Sequence, residues 1–305
     1  MARSGPSTAT SVGALRLRAA VMTASGTAGH GDELGAYGPL DALGAVVVKS
    51  LSADPWPGNP APRLAPLEIG MLNSVGLQGP GLAAWLEEDL PRLRASGATV
   101  VVSIWGRTLE DYARAGALLV GAEVDAIEVN VSCPNLEDRS KMFAHSAEAT
   151  KAALSAVGGS IPRWAKLSPN THELVEIAHA AVEGGADALT LANTVLGMAI
   201  DVEERAVRLG GRGGGVSGPG IHPVAVRAVY ECHAALPEVP IIGVGGVSRG
   251  IDAVEFLMAG ASAVQVGTAT LAEPRAPWRI ERELSKWMAR HGVASVAELI
   301  GVAHG

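Results

Sequence analysis

One segment of the chain combines residue types that can bind a ligand and move a proton. An apolar, strand-like run over 126–131 is followed at once by Ser132-Cys133-Pro134-Asn135. Cys133 is one of only two cysteines in the chain. A thiol at the end of a strand can act as a nucleophile or a base, and the alternative is a buried structural thiol. The segment therefore predicts the rim of an active site.

Asparagine is rare in this chain, and its placement is consistent. Most of the asparagines lie at or just beyond the end of an apolar, strand-like run. The six are Asn59, Asn73, Asn130, Asn135, Asn170 and Asn193. Because an amide offers both donors and acceptors, several amides on one wall suit a planar ligand with alternating hydrogen-bonding groups. We expect most of them to meet in one shared site.

Two of the five lysines also lie at strand ends. Arginine supplies most of the positive charge, yet Lys49 and Lys166 both follow apolar runs directly. A compact ammonium at such a position suits an anionic ligand atom. The alternative for either residue is an exposed lysine in a loop.

The last two apolar runs end in glycine. Gly245 and Gly246 follow the run that begins at Pro240, and Gly267 follows the run that begins at Ala263. Backbone N–H groups without a side chain beside them can approach a phosphate. The alternative is that these glycines only permit tight turns, but their presence in both loops favours a phosphate site.

A glycine-rich segment over 209–220 is open to two interpretations. It contains too many glycines to pack as a helix. It follows the sixth apolar run, so it could wrap around a ligand, or it could be a surface loop. Composition alone does not decide between the two.

Short β-rich runs recur along the chain and alternate with helical patterns. Most are apolar throughout, as strands buried on both faces should be. The eight runs are Ala19–Ser25, Ala45–Ser50, Thr99–Trp105, Ala126–Ser132, Arg163–Ser168, Ala188–Thr194, Pro240–Gly246 and Ala263–Ala269. This alternation predicts an α/β fold, a (β/α)8 TIM barrel, and the alternative is an open doubly wound sheet. The glycines at the ends of the last two runs favour the barrel, because barrels commonly bind phosphate there.

Composition limits the class of protein. The 305 residues, of which 48% are hydrophobic, fit one large α/β barrel or two domains. We expect a single barrel domain over 1–305, with residues 1–13 disordered. A net charge of −7 argues against nucleic acid as a partner. Two cysteines cannot form a disulfide framework or bind an iron–sulfur cluster, and the histidines show no metal-ligand spacing. No apolar run is long enough to span a membrane. We expect a cytoplasmic protein without a metal site.

These residues resemble the dihydroorotate dehydrogenases, which are flavin-dependent barrels of pyrimidine synthesis. The resemblance covers the chain from about Val21 to Thr268. Its motifs are Met22–Gly26, Val48–Ser50, Pro57–Pro60, Leu72–Leu77, Asn130–Asn135, Lys166–Asn170 and Asn193–Thr194. A cysteine at position 133 resembles class 1 of this family, because class 2 enzymes carry serine there and add a membrane-binding extension. Gly76–Gly81 and Gly197–Asp201 resemble the NAD-linked B type.

The resemblance implies a role for each matching residue. The catalytic residues are Cys133 as general base, Lys49 and Lys166. FMN, one per chain, is bound by Ala24, Ser25, Gly26, Lys49, Ser50, Ser103, Asn130, Lys166, Ser217, Gly218, Gly245, Gly246, Gly267 and Thr268. Dihydroorotate is bound by Lys49, Asn73, Val75, Gly76, Leu77, Asn130, Asn135, Asn193 and Thr194. Cys133 takes the C5 proton while hydride passes from C6 to FMN.

The resemblance also implies an activity and a partner. The activity is oxidation of (S)-dihydroorotate to orotate in de novo UMP synthesis, and NAD is the final electron acceptor. A separate electron-transfer subunit carries FAD and a [2Fe–2S] cluster, so the assembly is a homo-oligomer or a heterotetramer. Gly79, Trp105 and His222 depart from the B-type pattern. The alternatives are a fumarate-linked A type and a non-catalytic barrel that binds a phosphate ligand.

Overall fold

The computed structural model describes residues 5–132 and 142–305. Cys133 and Asn135 lie outside these ranges. Within them the strands are short and mostly parallel. They are β1 Thr10–Val12, β2 Leu15–Leu17, β3 Val21–Thr23, β4 Val46–Val47, β5 Leu64–Leu67, β6 Gly70–Asn73, β7 Val100–Ile104, β8 Ala126–Asn130, β9 Arg163–Lys166, β10 Ala188–Leu191, β11 Val195–Gly197, β12 Ile200–Asp201, β13 Ala206–Val207, β14 Gly214–Ser217, β15 Ile241–Val244 and β16 Ala263–Val266.

Helices separate most of the parallel strands. They are α1 Leu82–Glu88, α2 Leu90–Ala95, α3 Leu109–Leu118, α4 Ala147–Val157, α5 Leu174–Glu183, α6 His222–Ala235, α7 Gly250–Met258, α8 Thr268–Ala272 and α9 Ala276–His291. Between β3 and β4 the described chain forms short 3-10 helices instead, Glu33–Ala36 and Leu40–Ala42. None of the helices in the described ranges is long and apolar enough to cross a membrane.

Eight parallel strands form the central sheet, in the order β3-β16-β15-β10-β9-β8-β7-β4. Its two outer strands also meet. The Thr23 N–H donates to the Ala45 carbonyl at 3.2 Å, and the Gly44 N–H donates to the Val21 carbonyl at 2.8 Å. The sheet therefore curls into a barrel, which confirms the predicted (β/α)8 fold and each of the eight predicted strands.

Apolar side chains fill the barrel below its mouth. Met22, Val101, Trp164 and Ile242 belong to a buried cluster inside the ring of strands. Side chains that point outwards from the same strands pack against the surrounding helices in the main core. Burial on both faces explains why the strands appear in the sequence as continuous apolar runs.

The amino-terminal segment closes the bottom of the barrel. Strands β1 and β2 form an antiparallel hairpin, whose Val12 and Leu17 pack on the cluster inside the barrel. The Thr10 hydroxyl donates to the Ser262 carbonyl just before β16. The prediction that residues 1–13 are disordered is therefore wrong for the hairpin, because small polar residues there alternate with side chains that reach the core.

An antiparallel sheet of four strands, β11-β14-β6-β5, extends from the mouth of the barrel. In this sheet Asn73 on β6 pairs with Gly215 on β14. The glycine-rich segment over 209–220 supplies β14, and several of its residues line the cavity at the mouth. Of the two interpretations of that segment, the structure supports the one in which it surrounds a binding site.

Candidate active site

A cavity of about 1520 Å³ opens at the carboxyl ends of the barrel strands. Its floor and walls come from the ends of the parallel strands, and β6, β11 and β14 form one side. In a barrel of this type the carboxyl ends of all eight strands face one common mouth. The cavity therefore collects side chains that are far apart in the sequence.

Most residues that the sequence predicts for the site lie in the wall of this cavity. They are Ala24, Ser25, Gly26, Lys49, Ser50, Asn73, Val75, Gly76, Leu77, Asn130, Lys166, Asn193, Thr194, Ser217, Gly218, Gly245, Gly246, Gly267 and Thr268. Ser103 is fully buried beneath the wall and is not part of it. The remaining two, Cys133 and Asn135, lie outside the described residues.

Lys166 projects from the end of β9 into the floor of the cavity. Its ammonium donates to the Ser25 hydroxyl at 2.7 Å and lies 3.4 Å from a carboxylate oxygen of Glu128. The lysine side chain is only 6% exposed. A cation this deeply buried is fixed in place by its partners, so its charge acts on whatever occupies the floor of the cavity.

A connected set of amides and hydroxyls lies beside Lys166. Asn193 donates through Nδ2 to the Ser132 hydroxyl, which in turn donates to Oδ1 of Asn130 at 2.7 Å. Asn130 Nδ2 donates to the Ser50 hydroxyl at 3.3 Å. Tyr112 holds the backbone of the same strand end through a 2.9 Å bond to the Asn130 carbonyl. These contacts fix which way each amide faces, so the wall presents an ordered pattern of donors and acceptors.

The asparagines do not all remain available for a ligand. Asn170 donates to the Ser168 hydroxyl and to the Thr194 carbonyl, and its Oδ1 accepts from the Leu196 N–H. The amide groups of Asn170 thus bond to other parts of the protein, and they stabilise the connection that follows β10. The Asn73 side chain donates from Nδ2 to the Gly215 carbonyl at 3.1 Å.

Lys49 also lies in the cavity wall, near His30. Burial lowers the pKa of the His30 imidazole, and the nearby Lys49 ammonium lowers it further. A neutral His30 does not compete with Lys49 for an anion. This wall therefore offers a positive charge that suits a carboxylate.

A strained turn borders the cavity near Asn73. Gly76 and Leu77 both have positive φ, at 71° and 61°. This conformation is uncommon for leucine and costs on the order of 1–3 kcal/mol, and such strain is concentrated at binding sites. Both residues line the cavity, so the strain fixes backbone polar groups at its edge.

The glycines that follow β15 form a close-fitting loop. Gly245 and Gly246 have φ values of 137° and 72°. A side chain at Gly245 would come within 2.6 Å of Ala225, and one at Gly246 within 2.7 Å of His222. Bare backbone is therefore required here, and together with Gly267 it borders the cavity. These residues fit a phosphate at one end of the cavity, and the amides and Lys166 fit a planar ring at the other.

Some polar residues that support the site are not among the predicted site residues, and they include Glu128, Ser132 and Gln265. Glu128 and Gln265 are fully buried in the middle of β8 and β16. A charged or amide residue inside an otherwise apolar strand is the sequence signal that marks them. By contrast, Cys232 in α6 is buried, and burial raises the pKa of its thiol to about 12, which excludes it as a reactive group at neutral pH.

The residues that depart from the B-type pattern fit their surroundings. Trp105 is buried, and its ring meets Trp56 edge to face at 5.8 Å. Gly79 pairs with the backbone of Trp56. His222 contacts the carbonyl of Gly245 at 2.9 Å. All three residues are therefore compatible with the position of the predicted site residues in the cavity wall.

Comparison with known proteins agrees with this geometry. A family model described as dihydroorotate dehydrogenase matches residues 7–288. The catalytic subunit of dihydroorotate dehydrogenase B (NAD(+)) from Geobacter sulfurreducens is 44% identical over 299 residues, which cover 97% of this chain and 98% of that protein. The protein of the same name from Alkaliphilus metalliredigens is 46% identical over 294 residues, or 95% of this chain and 96% of its own. The chain therefore belongs to the dihydroorotate dehydrogenase family.

Proposed function

We propose that this chain oxidises (S)-dihydroorotate to orotate in de novo pyrimidine synthesis, as the catalytic subunit of an NAD-linked, B-type enzyme. One observation carries the proposal. The cavity brings Lys49, Lys166, Asn130 and Asn193 onto walls around a single space, with the glycines after β15 and β16 at one end. The names of the relatives support the B type over a fumarate-linked enzyme.

FMN fits the cavity, and dihydroorotate dehydrogenases bind it generally. Gly245, Gly246, Gly267 and Thr268 would hold its phosphate. Lys166 would face the pyrimidine edge of its ring. The ring would be bordered by Ala24, Ser25, Gly26, Ser50, Asn130, Ser217 and Gly218. When bound, FMN supplies the group that accepts hydride from the substrate.

The remaining polar wall would bind dihydroorotate. Lys49 would pair with its carboxylate, and the amides of Asn73, Asn130 and Asn193 would bind its ring. The strained turn over 75–77 and Thr194 would close the pocket around it. Because the amides are already oriented by protein contacts, they would hold the substrate with little loss of conformational entropy.

Cys133 would remove the proton from C5 of dihydroorotate. It follows Ser132 directly, and Ser132 is fixed by bonds to Asn130 and Asn193. A general base must lie within hydrogen-bond reach of the proton that it takes. Because Cys133 directly follows a residue whose position is fixed, its thiol would be able to meet that requirement. Asn135, two residues further on, would add another contact to the substrate.

Electrons would leave through a second subunit. The relatives are named catalytic subunits, which implies a further subunit in their enzymes. We propose a partner that carries FAD and a [2Fe–2S] cluster, and an assembly that is a homo-oligomer or a heterotetramer. Apolar residues next to the mouth support an interface there, since Ile69, Met198 and Ile200 are about 60% exposed. We place the single-domain chain in the cytoplasm, where cysteine thiols stay reduced.

The test compares electron acceptors. The purified chain should be yellow with a flavin spectrum, and dihydroorotate should bleach it without oxygen. Turnover is then measured side by side with NAD, fumarate and a quinone, for the chain alone and after co-expression with the FAD and iron–sulfur subunit. We expect NAD reduction only in the complex.

Other results would redirect the proposal. Efficient turnover of the isolated chain with fumarate would identify an A-type enzyme. Efficient NAD reduction by the isolated chain would remove the need for a partner. A purified chain that takes up no flavin would identify a barrel that binds another phosphate ligand.

A further inference from the structure

A carboxylate lies inside the barrel, directly below the cavity. Glu128 occupies the middle of β8 and is 0% exposed. Its neighbour in the sheet on β7 is Ser103, and Asn130, two residues further along β8, lies opposite Lys166 on β9. The pleat therefore points Glu128 inwards, one layer beneath the cavity wall.

Three side chains converge on this carboxylate. Oε1 accepts from the Ser103 hydroxyl at 3.0 Å and lies 3.4 Å from the Lys166 ammonium. Oε2 accepts from Nε2 of Gln265 at 3.0 Å. Among the described salt bridges, this is the one in which both side chains are almost fully buried, at 6% and 0% exposure.

The carboxylate also sets the direction of the hydrogen bonds above it. Because an ionised carboxylate can only accept, Ser103 donates to it, and Ser50 must therefore donate to Ser103 at 2.9 Å. Ser50 in turn accepts from Nδ2 of Asn130. The chain of bonds runs from the cavity wall down to Glu128, so the carboxylate orients groups that face the ligand.

Stability alone does not account for a charge at this position. Removing two charges from water costs several kcal/mol per ion, and well-packed apolar residues often replace a buried pair without loss of stability. Lys166 lines the floor of the ligand cavity, and Glu128 lies directly beneath it. Its position points to a role for the charge in the site.

We propose that Glu128 is a positioning residue that fixes the Lys166 ammonium and offsets part of its charge, and that it thereby sets the reduction potential of the bound flavin. This proposal rests on the proposed function, because it takes FMN to lie against Lys166. Reduction builds negative charge at the pyrimidine edge of a flavin, and Lys166 favours that charge. A carboxylate behind the ammonium weakens this effect and makes the potential more negative.

The test removes the charge of the Glu128 side chain and keeps its shape. In Glu128→Gln the new amide oxygen can still accept from Ser103 and Lys166. Its NH₂ group would face Gln265, whose Oε1 has no hydrogen-bond partner among the described residues and can accept after the Gln265 amide turns over. The fold is thus expected to persist, while the charge beneath Lys166 disappears.

We expect the midpoint potential of bound FMN to become more positive in Glu128→Gln, as measured by spectroelectrochemical titration with FMN in excess. At a fixed ambient potential the ratio of reduced to oxidised flavin should rise at least tenfold, a shift of about 30 mV for a two-electron couple. Gln265→Met is the matched control, because it removes a contact of Glu128 that is not part of the bonds leading to the cavity wall and leaves the charge of Glu128. Its potential should stay close to that of the wild type.

A second pair of variants tests the proposal in case Glu128→Gln alone does not fold. Lys166→Met leaves an unpaired buried carboxylate, whereas Lys166→Met/Glu128→Gln contains neither charge and should be the more stable of the two. The double variant should also have the more positive potential. Equal potentials in Glu128→Gln and the wild type, or in the double variant and Lys166→Met, would overturn the proposal. A shift in the opposite direction within either pair would overturn it as well. A wild-type chain that binds no FMN would count against the proposed function itself.

Discussion

The chemistry of the proposed site depends on a few side chains whose surroundings differ sharply. Lys166 is buried among partners, whereas Lys49 lies beside a neutral His30. Ser132, the last described residue before Cys133, is fixed by the amides of Asn130 and Asn193. The fixed arrangement of side chains in the cavity wall therefore extends as far as Ser132, the residue next to the proposed base.

Replacement of the proposed base separates binding from chemistry. Cys133→Ala should retain FMN, because the proposed flavin contacts are made by other residues. It should slow flavin reduction by dihydroorotate by about 10²–10⁴-fold, the usual contribution of a positioned base. Anaerobic stopped-flow bleaching of the flavin measures this rate, and Cys133→Ser should retain a little activity.

The second cysteine provides the control. Cys232 lies in α6 with a strongly raised thiol pKa, so Cys232→Ala should bleach at the wild-type rate. A Cys133→Ala variant that also bleached at the wild-type rate would show that another group takes the proton.

At the scale of elements, the strand ends position the site, and the first turn of α6 supports the phosphate loop. His222, the first residue of α6, places Nδ1 2.9 Å from the Gly245 carbonyl and Nε2 3.0 Å from a carboxylate oxygen of Glu255. Its ring packs edge to face on Phe256 at 5.0 Å. The imidazole thus joins the loop after β15 to α7.

Removal of this contact should loosen the flavin without affecting catalysis directly. His222→Ala loses the bond to Gly245 and the packing beneath Gly246. A hydrogen bond contributes about 0.5–1.5 kcal/mol, so FMN should bind roughly 2- to 12-fold more weakly. Fluorescence titration of the FMN-free chain with FMN measures the dissociation constant. Glu255→Gln keeps an acceptor near Nε2 and should change it little. An unchanged dissociation constant in His222→Ala would mean that the loop keeps its shape without the imidazole.

The sequence predicts the parallel strands well and the antiparallel sheet poorly, for a physical reason. Strands buried on both faces, such as β7 and β8, form continuous apolar runs that are visible locally. The pairing of Asn73 with Gly215 joins residues far apart in the chain, and β14 is rich in glycine. No local pattern specifies such a pairing.

The same distinction applies to the site. Lysines and asparagines at strand ends are predictable, because the carboxyl ends of all barrel strands share one mouth. Glu128 and Gln265 each interrupt an apolar run, but one polar residue gives no indication of its partner on another strand. The contacts of Gln265 and Lys166 with the Glu128 carboxylate become apparent only when the barrel is closed.

At the scale of the whole molecule, helix α9 connects strand β3 with helix α7. Its Glu281 accepts from the Val21 N–H at the start of β3 at 3.2 Å. Its Glu283 accepts from the Gly250 N–H at the start of α7 at 2.7 Å and from Arg279 at 3.0 Å. The two carboxylates lie on one helix, yet their surroundings shift their pKa values in opposite directions.

Burial raises the pKa of Glu281, and hydrogen bonds from Thr8 and the Val21 N–H offset this only in part. Burial would also raise the pKa of Glu283, but the bonds from Gly250 and Arg279 outweigh it and lower the pKa. An acid with a raised folded pKa contributes stability below its unfolded pKa, about 4.3, and loses it as the pH rises through the folded value. An acid with a lowered folded pKa contributes stability above 4.3 and loses it as the pH falls.

Opposite effects of two similar substitutions should therefore appear in thermal unfolding measured across pH. Glu281→Gln should melt higher than the wild type at pH 7–8, because no ionised carboxylate is then held in a poorly solvated position, and the gain should fade as the pH approaches 4. Glu283→Gln should melt lower at pH 7–8, and its deficit should shrink on acidification. Single substitutions typically change stability by about 1 kcal/mol, which corresponds to roughly 1.5–2 °C in Tm for a domain of this size. Each variant is compared with the wild type at the same pH and with the same excess of FMN, so that flavin binding contributes equally. If both variants changed Tm in the same direction at neutral pH, the two carboxylates would not differ in the way that their contacts indicate.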